Sequence, residues 1–180
     1  LWYALPNVPS PKGDGALAEI RVLTRGPVLA ALLLTVVGSS AMFTVFTYIA
    51  PILQNEAGAS TAFVTSMLVL FGVGLTLGNV WGGKAADRSV DRTLIVSLAI
   101  LIAVLLVFPL VMGSSLLTAG AILVWGAASF ALVPPLQMRV MEAAKDAPNL
   151  ASAVNIGAFN LGNAIGAALG GAVINGGLGY

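Results

Sequence analysis

Four stretches of the chain, residues 26–55, 57–83, 93–138 and 147–180, contain no Asp, Glu, Lys or Arg. A helix needs about 20 predominantly apolar residues to cross the hydrocarbon core of a bilayer, so each stretch can hold a span and the third can hold two. Inside the membrane a charged side chain is costly, so the charged residues must gather where spans end. They do: five of the fifteen charged residues fall between Gly82 and Arg92, in the segment Gly82-Gly83-Lys84-Ala85-Ala86-Asp87-Arg88-Ser89-Val90-Asp91-Arg92. With 58% hydrophobic and 8% charged residues, the chain has the composition of an integral membrane protein. The expected fold is all-α, a polytopic membrane helix bundle.

The same composition excludes several functions. Net charge is +1 and no basic field is present, which removes nucleic acid as a partner. Cys and His are absent, so disulfides, thiol nucleophiles, histidine bases and the usual transition-metal ligands are unavailable. No Ser-Lys dyad or carboxylate pair lies inside a span, so no catalytic residue, metal site or cofactor is expected. No G-x-x-x-x-G-K-[ST] segment occurs, which leaves ATP-driven chemistry without support.

Taken in order, residues 1–6, Leu-Trp-Tyr-Ala-Leu-Pro, resemble the end of a preceding span at the interface where Trp and Tyr collect. Residues 7–25 are expected to form a linker, with Pro9, Pro11, Gly13 and Gly15 keeping it open and a short amphipathic helix from Ala16 to Thr24. Residues 26–180 hold the bundle, with spans expected at about 28–50, 61–82, 93–112, 116–138 and 151–174. Pro27 suits a first helical turn, Pro51 is expected to end the first span, Ser60 or Thr61 to cap the second, and Pro134-Pro135 to kink the fourth. Leu1 is not a natural start, and the chain is expected to be an internal piece of a longer protein. Counting spans places all eight Lys and Arg on one side, in the segments 7–25, 83–92 and 139–149. By the positive-inside rule that side is cytoplasmic, as expected for a multi-pass protein of a cell (inner) membrane.

Span two carries Gly74, Gly78 and Gly82, and span five carries Ala158, Gly162, Gly166 and Gly170, small residues at every fourth position. Such faces let helix backbones approach closely in lipid, although small residues are common in any Gly- and Ala-rich membrane helix. Both ladders lie in the second helix of a group. Spans one to three form one triple, spans four and five begin another of inverted direction, and the second triple lacks its third helix.

The charged segment can now be compared with a known pattern. Gly83-xxx-Asp87-Arg88-xx-Asp91-Arg92 resembles the major facilitator signature G-x-x-x-D-[R/K]-x-G-[R/K]-[R/K], in the copy between helices 8 and 9. Gly83, Asp87, Arg88 and Arg92 match, while Val90 replaces the family glycine and Asp91 a basic residue. The whole chain looks like the C-terminal half of that fold, from the end of helix 6 to helix 11, and its texture is similar to proton-antiporting drug and sugar efflux permeases of the arabinose-efflux type. The resemblance implies half of a two-lobed carrier working by alternating access on a small-molecule substrate. It also implies a gating loop of Gly83, Asp87, Arg88 and Arg92, with the alternative that Arg92 marks topology alone. The spans contain no ionisable residue, so protons could couple only through the first lobe.

Polar and aromatic residues at helical spacing mark an expected solute path. They are Ser40, Thr44 and Tyr48 in span one, Phe71 and Asn79 in span two, Trp125 and Ser129 in span four, and Asn155, Phe159 and Asn163 in span five; Gln137 lies near the cytoplasmic mouth. Ser40 and Thr44 could instead bond their own helix carbonyls, and Phe71 and Phe159 could be packing residues. An Asn side chain in hydrocarbon is harder to explain without a ligand, which singles out Asn163. An importer of sugars or metabolites on the same fold, or a non-transporting scaffold or receptor, remains open at this point.

Overall fold

The computed structural model describes residues 16–177. The segment at 1–6 and the first part of the linker, 7–15, lie outside the described residues. Eight helices follow in order: α1 Ala16–Leu23, α2 Gly26–Phe46, α3 Ile49–Asn55, α4 Thr61–Ala86, α5 Val90–Val111, α6 Ser115–Ala131, α7 Val133–Ala143 and α8 Pro148–Asn175. Two pairs are nearly continuous, so five membrane-length units result: α2 with α3, α4, α5, α6 with α7, and α8. No strand occurs among the described residues.

Proline explains both interruptions, and one corrects the sequence reading. Pro51 does not end the first span; it sits in the first turn of α3, and the chain stays helical to Asn55. The break falls at Thr47 and Tyr48 instead. Pro51 has no N–H for the Thr47 carbonyl and its ring crowds that group, so the helix gives way one turn earlier. Tyr48 N–H then bonds Val45 O at 3.1 Å, a tightened last turn. In the fourth span Pro134 and Pro135 likewise cannot bond Phe130 and Ala131, and the helix divides at Leu132.

The charged loops are shorter than expected. Helix α4 runs through Gly83 and Lys84 to Ala86, and only Asp87, Arg88 and Ser89 separate it from α5. Arg139 and Glu142 lie on α7, leaving Ala144 to Ala147 as the connection to α8. Charges can ride on the last turns because long side chains extend to the interface while the backbone remains helical. At the opposite end Ser60 caps α4, accepting from Phe63 N–H at 3.2 Å.

Two seams organise the bundle. On α8, a Cβ added at Gly170 would come 2.6 Å from Thr44 O, while one at Gly162 or Gly166 would collide with Val36 O and Ser39 Oγ or with Ser40 O of α2. On α4, a Cβ at Gly82 would come 2.5 Å from Ala131 O, and Cβ atoms at Gly74 and Gly78 would collide with the carbonyls of Leu123 and Ala127 on α6. Numbers rise together on both sides of each seam, so each pair of helices is parallel. Inversion of the triple exchanges span one with four and span two with five, and it therefore exchanges the two seams. With no hydrophobic drive between helices in lipid, this close backbone packing supplies the attraction.

Helix α1 is drawn into the fold. Its Val22 is buried with Val28, Ala31, Val140, Ala144, Ala147 and Ala151, tying the amphipathic lead-in to the basic ends of α2, α7 and α8.

Candidate functional site

The expected path residues separate into three places. The first is the α2–α8 seam, which takes Ser40, Thr44 and Tyr48. Ser40 is 8% exposed beside Gly166, Thr44 Oγ1 donates to Ser40 O at 2.8 Å, and Tyr48 Oη donates to Ala167 O at 2.8 Å. The Thr44 and Tyr48 hydroxyls are thus spent on helix carbonyls. Ser39, absent from the expected path, joins the same seam: its Oγ donates to Thr35 O at 2.9 Å and lies 3.3 Å from Phe159 O.

The second place is an aromatic junction. Phe71 of α4 and Trp125 of α6 meet edge to face with centroids 5.2 Å apart. Phe46, from the last turn of α2, stacks on Phe71 at 4.7 Å, and Phe108 of α5 approaches Trp125 at 6.0 Å. Phe159 of α8 packs against the larger apolar core that contains these rings, so every membrane-length unit contributes to that core. Offset and edge contacts of this kind contribute about 0.5–1.5 kcal/mol each beyond burial. The rings around Phe46, Phe71 and Trp125 close on one another without room for a water molecule. Trp125 Nε1 and, one turn on, Ser129 Oγ are buried with no hydrogen-bond partner. Phe46 was legible as an aromatic but not as a member, because its depth depends on the break that follows it.

The third place is an amide cluster toward the basic side. Asn155 is fully buried; its Nδ2 donates to Gln137 Oε1 at 2.7 Å, and Gln137 Nε2 donates to Ser152 Oγ at 2.7 Å. The chain of bonds joins α7 to α8 just below the proline break. Asn155 Oδ1 is left without a partner, as is Asn163 Oδ1 on the half-buried flank of α8. Asn79 stands apart, exposed on α4.

At the loop expected to gate, Asp87 is the C-cap of α4, and Ser89 caps α5 by accepting from Arg92 N–H at 3.3 Å. Asp87 closes α4 with its backbone N–H, at the negative end of the α4 dipole. Gly83 packs near Pro134 of α7. Asp91, the departure from the signature, pairs with Arg139 and so ties the start of α5 to α7; Arg25 and Asp146 form a second pair at 2.5 Å. Both pairs are largely exposed, where such contacts contribute at most about 1 kcal/mol. Asp87, Arg88 and Arg92 make no ion pair among the described residues.

Five membrane-length helices held by two parallel glycine seams form a polytopic membrane bundle. The chain belongs to the Major Facilitator Superfamily, whose sequence profile matches residues 1–176. It is 54% identical, over its full length, to the inner membrane transport protein YdhP of Escherichia coli K12, and covers 46% of that protein. It is 35% identical to the uncharacterized MFS-type transporter YfhI of Bacillus subtilis, with 98% of the chain and 44% of that protein aligned. A probable sugar efflux transporter of Helicobacter pylori is 31% identical across the chain, which covers 46% of it. The chain thus spans about half the length of the curated relatives it matches. It is a multi-pass inner-membrane protein, with the basic loops cytoplasmic by the positive-inside rule.

Proposed function

We propose that this chain is the C-terminal lobe of a secondary carrier that exports a small organic solute by alternating access, driven by protons handled in the other lobe. The carrying observation is that four of the five buried side-chain polar atoms left unpaired among the described residues, Trp125 Nε1, Ser129 Oγ, Asn155 Oδ1 and Asn163 Oδ1, belong to the expected path residues. An unpaired buried polar group costs about 1–3 kcal/mol, so a solute that supplies hydrogen-bond partners to these atoms offsets that cost. Neutral donors and acceptors beside aromatic faces suit an uncharged or weakly charged solute with hydroxyl groups. The efflux named for the Helicobacter pylori relative supports the export direction.

The rings are closed in this conformation, so solute entry requires the α6–α7 break or the Tyr48 break to move. Asp87 supports the gating part of the proposal. An exposed carboxylate at the negative end of a helix gains by meeting a cationic group, and the facing lobe is where one would come from. A contact made in one state and lost in the other shifts the balance between them.

The test is solute counterflow by the full-length protein in proteoliposomes, using radiolabelled monosaccharides and ethidium as probes. Ser129→Ala removes one orphan group with little change of shape, and Trp125→Phe removes a second together with one ring of the indole. Each should lower flux by about tenfold, a loss of about 1.4 kcal/mol in transition-state stabilisation, with reconstitution unchanged. Unaltered flux in both variants would remove the junction from the path.

A further inference from the structure

Helix α5 leans on α6 and touches α4 far less, and the crevice left between α4 and α5 has two parts. At the cytoplasmic end is a hollow of about 340 Å³ lined by Trp81, Arg88, Ser89, Arg92 and Val96 among others. Continuing toward mid-membrane, beyond the Trp81 ring, is an almost wholly apolar cleft of about 240 Å³ between α4, α5 and α6, with Leu77, Ser97, Ile100 and Ala128 in its walls. Trp81 is 47% exposed and lines both parts. From Ala86, where α4 ends beside Arg88, to Leu77 the helix rises about 14 Å, roughly one leaflet of hydrocarbon.

We infer that this crevice holds an anionic phospholipid of the cytoplasmic leaflet, with its phosphate between Arg88 and Arg92 and one acyl chain lying past Trp81 into the apolar cleft. Charge complementarity selects the occupant. Arg88 and Arg92 both line the hollow and neither has an ion pair among the described residues, while the nearby Asp91 is committed to Arg139. Paired guanidinium groups suit a phosphate by geometry as well as charge. The cleft supplies what a free phosphate would not use, an apolar continuation at acyl-chain depth. In its wall Ser97 is fully buried, and its Oγ has no hydrogen-bond partner. Trp81 sits at the depth where indole rings mark the interface.

The inference does not depend on what the protein transports. It is tested by native mass spectrometry and lipid titration of the full-length protein with phosphatidylglycerol, phosphatidylcholine and inorganic phosphate. Phosphatidylglycerol should be retained in preference to phosphatidylcholine, and excess inorganic phosphate should not displace it. Replacing each arginine, Arg88→Gln or Arg92→Gln, should weaken retention about fivefold and the double variant about 30-fold, whereas Lys84→Gln, outside the hollow, should leave it unchanged. Leu77→Trp, which fills the cleft without altering charge, should also weaken it. Circular dichroism and gel filtration of each variant exclude loss of fold as the cause, and Arg88→Lys with Arg92→Lys should retain most binding. Equal retention of the two lipids, displacement by inorganic phosphate, or undiminished binding by the double glutamine variant would each overturn the inference.

Discussion

Single glycines set the distance between backbones here, and the structure distinguishes which of them do so. Gly78 has the Ala127 backbone where a Cβ would lie, while Gly72, six residues earlier on the same helix, has nothing within 4 Å. Gly78→Ala should therefore destabilise the bundle by about 1–3 kcal/mol or more, since backbone cannot move aside as a side chain can. Gly72→Ala should leave stability unchanged or slightly raised through helix propensity. Thermal unfolding of the detergent-solubilised full-length protein compares the two; equal melting temperatures would contradict the seam. The ladder could be read from spacing alone, because a period of four keeps residues on one helix face. The fates of Ser40, Thr44 and Tyr48 could not. Their spacing says that they share a face, but not that α8 covers it. Conversely, Trp125 and Phe71 are far apart in the chain, and only the α4–α6 seam explains why they touch.

At the scale of helices, proline placement decides where the spans can bend. Charge-free runs reveal five spans, and Pro134-Pro135 marks the fourth as bent, since both facts follow from local chemistry. The Tyr48 break was mislocated from sequence, because a proline disrupts the turn before it and is comfortable in the turn it opens. The loops were overestimated for a related reason: charged residues end a hydrophobic run before they end a helix. If the division at Leu132 serves as a hinge, restoring its missing hydrogen bonds should stiffen it. Pro134→Ala with Pro135→Ala is expected to stabilise the folded protein, by up to about 3 kcal/mol per relieved proline, and to slow transport. Denaturation and flux measured on the same preparation check this; faster or unchanged transport in a stabilised variant would remove the hinge.

The whole molecule shows how the two seams combine. One joins α2 to α8 and the other α4 to α6, so each ties a helix of the first three spans to one of the last two. This level was partly legible, because basic clusters on one side only are possible if every span has been counted. The gating loop was less so: the signature identified Asp87 and Arg88, but not that Ser89 supplies the cap or that Asp91 holds Arg139. Asp87→Asn should depress transport severalfold while membrane insertion and melting temperature stay near wild type, because the carboxylate has no partner within the described lobe to lose. Wild-type flux in that variant would restrict the loop to fixing topology. The central claim, that this lobe belongs to a proton-driven exporter, is tested most directly by flux of the full-length protein in proteoliposomes under an imposed proton gradient. The account predicts gradient-dependent movement of a monosaccharide or ethidium against its own concentration, abolished by an uncoupler; flux of either probe that ignores the gradient, or no flux of any solute offered, would contradict it.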